Sequence, residues 1–150
     1  MQMQTENTTV EFVKNATAEA YDWIDDVVRA MGRNDRYEAL SAIRGALHAL
    51  RDELTVDQNL KLASRLPTLI RGLYFEGWDP RTNVRPADRE EFLECAAREF
   101  TQSHSEIPTE ESVRAVLSVL ESRMPPECRK LKFSLPKSIR DLWPTDTVSI

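Results

Sequence analysis

The chain has 150 residues, 41% of them hydrophobic and 30% charged, with 4 Gly and 8 Pro, which fits one ordinary domain and excludes both a disordered segment and a fibre. Its formal net charge of −5, spread over both halves, argues against nucleic acid or an anionic membrane as partner, because both require a basic surface. The start MQMQTENTTV is neither basic nor apolar, and no uncharged apolar run approaches the about 20 residues that span a bilayer, so a cytoplasmic location is expected.

Val13, Ala16, Ala20, Ile24, Val27 and Met31 recur every three or four residues, and Trp23 and Val28 widen that stripe. This is the interval of one helix face. It predicts a long amphipathic helix ending near Gly32, with residues 1–20 as its N-terminal extension. Asn34 and Asp35 then offer caps, Glu38 stands in capping-box spacing, and Leu40, Ile43, Leu47, Leu50 and Leu54 carry a second helix. Thr55 with Gln58 forms another capping box, and Pro67 interrupts the pattern before Leu69, Ile70, Leu73 and Tyr74, which predicts two short helices joined at the proline. The segment 77–88, GWDPRTNVRPAD, has no periodicity and reads as a linker. Asp88 and Glu91 open a further helix through Phe92, Leu93, Ala96, Ala97 and Phe100; Pro108 opens one bearing Val113, Val116, Leu117, Leu120 and Met124; Pro125 starts a short one. No segment alternates with period two, so the fold class is all-α.

The two halves read as one unit repeated. With an offset of 69, RLPTLIRGLY (65–74) lies over SLPKSIRDLW (134–143) with five of ten positions identical, and Trp23 and Ile24 fall on Phe92 and Leu93. One inserted residue places Arg44, Leu47, Leu50 and Leu54 on Arg114, Leu117, Leu120 and Met124. The expected architecture is a single domain over 1–150 made of two tandem four-helix units, about 21–78 and about 90–144, packed as a pseudo-twofold bundle. Each unit is expected to consist of two long helices followed by two short ones split at a proline.

The runs ALHALRDEL, RLPTLIRGLYFEGW and REEFLECAAREF, with a weaker second copy ending LPKSIRDLWP, resemble the bacterial family catalogued as domain of unknown function 2267, over roughly residues 17–144. The Leu-Pro, Arg-Gly-Leu-Tyr and Glu-Gly-Trp elements occur in the same order at short spacings. The resemblance implies a helical, tandem-repeat protein of the bacterial cytosol and carries no activity, substrate or catalytic residue with it. The second copy departs from the first, ending at Trp143-Pro144 without a Glu-Gly-Trp element and holding Glu121 where the first holds Arg51. The first half is therefore the better candidate for a family-specific surface.

Chemistry-bearing motifs are sparse. His48 and His104 are the only histidines, and the single pair His48 with Asp52 cannot make a metal site; a structural role is expected for His48 and an exposed loop for His104. Cys95 and Cys128 stand 33 positions apart and read as small buried apolar residues. Gly32, Gly45, Gly72 and Gly77 stand alone, so no phosphate loop can be written, and there is no GxSxG element. Adjacent acids such as Asp25-Asp26 and Glu90-Glu91 point to different helix faces and read as solvated. No catalytic residue, metal or cofactor is assigned.

Two features remain. Arg44, Arg71, Arg114 and Arg140 occupy equivalent positions in the two units; they either pair with acids such as Glu76 and Asp141 to dock helices or converge as an anion site between the repeats. Leu73 to Trp78 is the densest aromatic run, and with Arg71 it is the candidate partner surface, Tyr74, Glu76 and Trp78 being its polar and aromatic members. A basic stretch, Arg129, Lys130, Lys132, Lys137 and Arg140 near Phe133 and Trp143, is bordered by Glu121, Glu127 and Asp141 and reads as local solvation. The expected function is a non-enzymatic interaction or regulatory module with a protein partner, self-association remaining open; the alternative is a small-molecule or anion binder using the four arginines.

Overall fold

The computed structural model describes residues 2–81, 87–102 and 106–145; His104 and positions 82–86 of the linker lie outside them. Among the described residues there are eight α-helices and no strand: α1 (Gln2–Met31), α2 (Arg36–Arg51), α3 (Val56–Ala63), α4 (Thr68–Tyr74), α5 (Arg89–Ala97), α6 (Thr109–Arg123), α7 (Pro125–Ser134) and α8 (Lys137–Arg140), with a 3-10 turn at Arg98–Gln102.

Local chemistry sets most of these ends. Gly32 stops α1 in the left-handed region, φ 67°, where a side chain would be strained. Thr55 and Gln58 exchange both hydrogen bonds of a capping box at 3.2 and 2.9 Å, and the Asp88 carboxylate accepts from the Glu91 amide at 2.8 Å. Pro67 and Pro136 occupy the cap positions before α4 and α8, and Pro125 opens α7.

Three details differ from the sequence pattern. Asp35 caps α2 through the Tyr37 amide at 2.8 Å, while Glu38 turns away from the cap to pair with Arg33. Leu54 lies in the turn beyond α2, because the buried Asn59 amide donates to the Arg51 and Leu54 carbonyls at 3.2 and 3.3 Å and closes the helix there. The first helix of the second half, expected to be long, is the nine-residue α5 followed by the 3-10 turn; the tighter winding brings Phe100 against Gly45 of α2.

Twelve of the sixteen residues of α2 are buried, which makes it the central helix. It packs on α1, α4, α5 and α6, and its Ala39, Ala42, Ala46 and Ala49 are buried small residues that let neighbouring helices approach. Leu47, Leu50, Ile70, Leu117, Leu120, Ile139 and Leu142 share one core with Tyr74 and Trp143. Arg123 of α6 fastens α1, its guanidinium donating to Asp26 at 2.7 Å and Asp22 at 2.9 Å.

Candidate functional site

A helix end leaves carbonyl oxygens without intrahelical donors, and an arginine fork satisfies several at once. Three arginines do so here. Arg71 donates to the Ala63 and Leu66 carbonyls, both at 2.9 Å, at the end of α3. Arg51 donates to the Tyr74 and Glu76 carbonyls at 2.6 and 2.8 Å, closing α4. Arg114 reaches the Asp141 carbonyl at 3.1 Å beyond α8 and also pairs with Glu110 at 3.1 Å. Arg44 pairs with Glu76 at 3.1 Å. Arg140 is half-buried beside Lys132, Lys137 and Trp143 in one small cleft, whereas Arg71 lines another with Arg65 and Arg123. Arg44, Arg71 and Arg114 are thus each engaged within their own half, Arg71 and Arg114 as helix clamps and Arg44 in an ion pair.

The run 73–78 divides in two. Tyr74 is fully buried, its hydroxyl donating to Asn59, and burial raises its pKa; it is a core residue and offers nothing to a partner. Beyond it the chain turns at Gly77, φ 66°, and presents Glu76 and Trp78. Trp78 is half-buried, with its ring centroid 5.1 Å from that of Phe75. It stands at a cleft of about 550 Å3 between the α2–α3 corner and α5, lined also by Arg51, Asp52, Asp79, Glu91, Glu94 and Arg98. Four carboxylates against two cations make the rim acidic. Arg51, only 9% exposed, spends donors on carbonyls, and its Nε has no acceptor among the described residues.

The cleft also holds Cys95. Its thiol donates to Asp52 at 3.6 Å, and burial, with the Asp52 charge second, pushes its pKa up to about 11. Cys128 is buried and pushed up to about 12, again by burial first. A thiol must ionise to attack, and both are held protonated. His48 is similarly occupied. Its Nε2 donates to the Leu73 carbonyl at 2.8 Å and its Nδ1 lies 3.1 Å from the Glu99 carboxylate, so the ring ties α2 to α4 and to the 3-10 turn. Among the described residues no three His, Cys, Asp or Glu side chains gather as a metal site, and no helix is long and apolar enough to cross a membrane.

The sequence pattern pointed to Trp78 and Glu76 but not to Arg51, Asp52, Glu91, Glu94 or Arg98, which meet only through packing. The one available signal was the exchange of Arg51 for Glu121 between the two halves. The family described as "Uncharacterized conserved protein (DUF2267)" has a model that matches residues 20–142. No curated protein matches the chain.

Proposed function

The chain belongs to the DUF2267 family, and we propose that it acts as a non-enzymatic interaction or regulatory module of the bacterial cytoplasm, receiving a segment of a protein partner beside Trp78. The observation that carries this reading is the half-buried Trp78 at the mouth of a cleft of about 550 Å3, since an aromatic anchor in a pocket with a polar rim is the usual core of an interface. Glu76 and Arg44 flank the same loop as an ion pair. The rival reading, a ligand held by Arg44, Arg71, Arg114 and Arg140, loses ground because the first three have internal acceptors.

We further infer that the single domain contains two tandem units, about 21–78 and about 90–144, joined by the 77–88 linker and related by a pseudo-twofold axis. The groove between α3 and α7 favours this, since it is lined by Gln58 and Glu127, Lys61 and Lys130, and Leu62 and Leu131, three pairs at the offset of 69 found in the sequence. α4 and α8 begin at Thr68 and Lys137 with the same offset, and Tyr74 and Trp143 are both buried.

Native mass spectrometry of the protein purified gently from its own cells weighs subunits, ligands and partners in one spectrum. The expected result is an added polypeptide that is lost in Trp78→Ala while helix content by circular dichroism stays unchanged. A bound polypeptide that survives the substitution, or a variant that unfolds, removes Trp78 from the contact surface. A small added mass in place of a polypeptide supports the ligand reading.

A further inference from the structure

The proposed function leaves the partner's chemistry open, and the next step rests on that reading. The cleft at Trp78 is acidic and apolar together: Asp52, Glu91 and Glu94 are exposed on its rim, and Leu54, Val56 and Phe92 line it with the indole. Its natural occupant is an exposed apolar side chain framed by cations.

The chain itself presents such a group. Phe133 on α7 is 82% exposed, the most exposed large hydrophobic side chain among the described residues. Arg129 and Lys130 stand four and three residues before it, on the same face of α7, and Lys137 follows four residues later at the start of α8. Arg129 and Lys130 are exposed, and neither has a carboxylate partner among the described residues. No acidic residue occurs from 128 to 140.

We propose that the Phe133 corner of one copy docks into the Trp78 cleft of a second copy, with Arg129 and Lys130 facing Asp52, Glu91 and Glu94. The two surfaces are different patches of one molecule, so the contact is head-to-tail. A copy that has filled its cleft still offers its Phe133 corner, and its neighbour still offers a cleft. Association therefore grows with concentration into short chains or a closed ring. Because charge complementarity contributes to the contact, added salt shortens the chains.

Sedimentation velocity on the full chain over two decades of concentration tests this. Wild type is expected to rise above its monomer mass of 17.2 kDa and to fall back as salt is raised. Phe133→Ser, which spoils only the corner, and the double variant Glu91→Lys, Glu94→Lys, which spoils only the cleft, are each expected to remain monomeric. Mixed in equal amounts, the two are expected to form a heterodimer of twice the monomer mass and nothing larger, because one intact cleft meets one intact corner. Circular dichroism of each variant checks that the fold is kept.

A wild type that stays monomeric throughout overturns the self-docking proposal, as does a mixture of the two variants that fails to pair. The broader reading fails separately. A monomeric wild type that still carries a foreign polypeptide, lost in Trp78→Ala, removes the second copy as occupant and keeps the cleft as an interaction site. A Trp78→Ala protein that still self-associates like wild type removes the cleft itself.

Discussion

Gly45 of α2 lies directly under the backbone of Ala96 of α5: a methyl group at Gly45 would stand 2.4 Å from the Ala96 carbonyl oxygen and 2.9 Å from the Phe100 ring. Backbone cannot yield as a flexible side chain can. Gly45→Ala is therefore expected to destabilise the protein by about 1–3 kcal/mol through overpacking, despite the better helix propensity of alanine. Gly72, in α4, has open space where its Cβ would be, and Gly72→Ala is expected to stabilise by about 0.5–1 kcal/mol. Urea midpoints of the two variants should move in opposite directions.

Arg51 holds the end of α4 through the Tyr74 and Glu76 carbonyls. Arg51→Met keeps most of the volume and removes the donors, leaving two carbonyls without their partner at a cost of about 1–3 kcal/mol. The loss should be local first. Hydrogen exchange of the α4 amides is expected to accelerate more than that of α6, and equal acceleration throughout would show that Arg51 acts on the whole core instead.

The helix starts and the clamps differ in how openly the sequence displays them. Thr55, Asp88, Pro108 and Pro125 mark helix starts within one turn of chain, so periodicity and capping chemistry were enough to read them. Arg51, Arg71 and Arg114 act on carbonyls up to 28 residues away, and residue spacing does not encode that distance. Tyr74 and Trp78 sit in the same aromatic run, yet one is core and the other rim. α4 is only seven residues long, too short for its periodicity to say which aromatic faces inward. The brevity of α5 was hidden for a related reason: Phe100 keeps the apolar rhythm of a helix while sitting in a 3-10 turn.

Burial disfavours the Asp26 carboxylate, but hydrogen bonds from Arg123 and Arg29 outweigh it and hold its pKa below the ordinary aspartate value. A carboxylate lowered in the folded state adds stability above its unfolded pKa of about 3.9, and that stability disappears as pH falls through the folded value. The wild type should therefore lose stability as pH falls from about 5 toward 2, and Asp26→Asn should show a smaller share of that loss. At neutral pH the substitution is expected to cost about 1 kcal/mol or less. Urea titrations at several pH values check both statements.

Cys95, with its pKa pushed up to about 11, should alkylate slowly. At pH 7.5 its thiolate fraction is below about one part in a thousand, so the iodoacetamide rate is expected to climb nearly tenfold per pH unit through the alkaline range. Denaturation in urea should raise the rate at neutral pH, because burial is the first cause of the shift. Cys95→Ser identifies the site, and a fast reaction of the folded protein at pH 7 would contradict the half-buried, Asp52-facing thiol.

The clamps also set an order of events on the ribosome. Arg71 reaches back only five to eight residues, and Arg51 spans 23 to 25, so every clamp of the first half can close once residue 76 has cleared the exit tunnel. The links between halves are long: His48 to Glu99 spans 51 residues, and Asp22 to Arg123 spans 101. At about 5–20 residues per second of synthesis, the first half waits several seconds with α2 partly bare on the side that α5 and α6 will cover. During that interval α2, the most buried helix of the finished molecule, is the surface most open to chaperones and to other nascent chains.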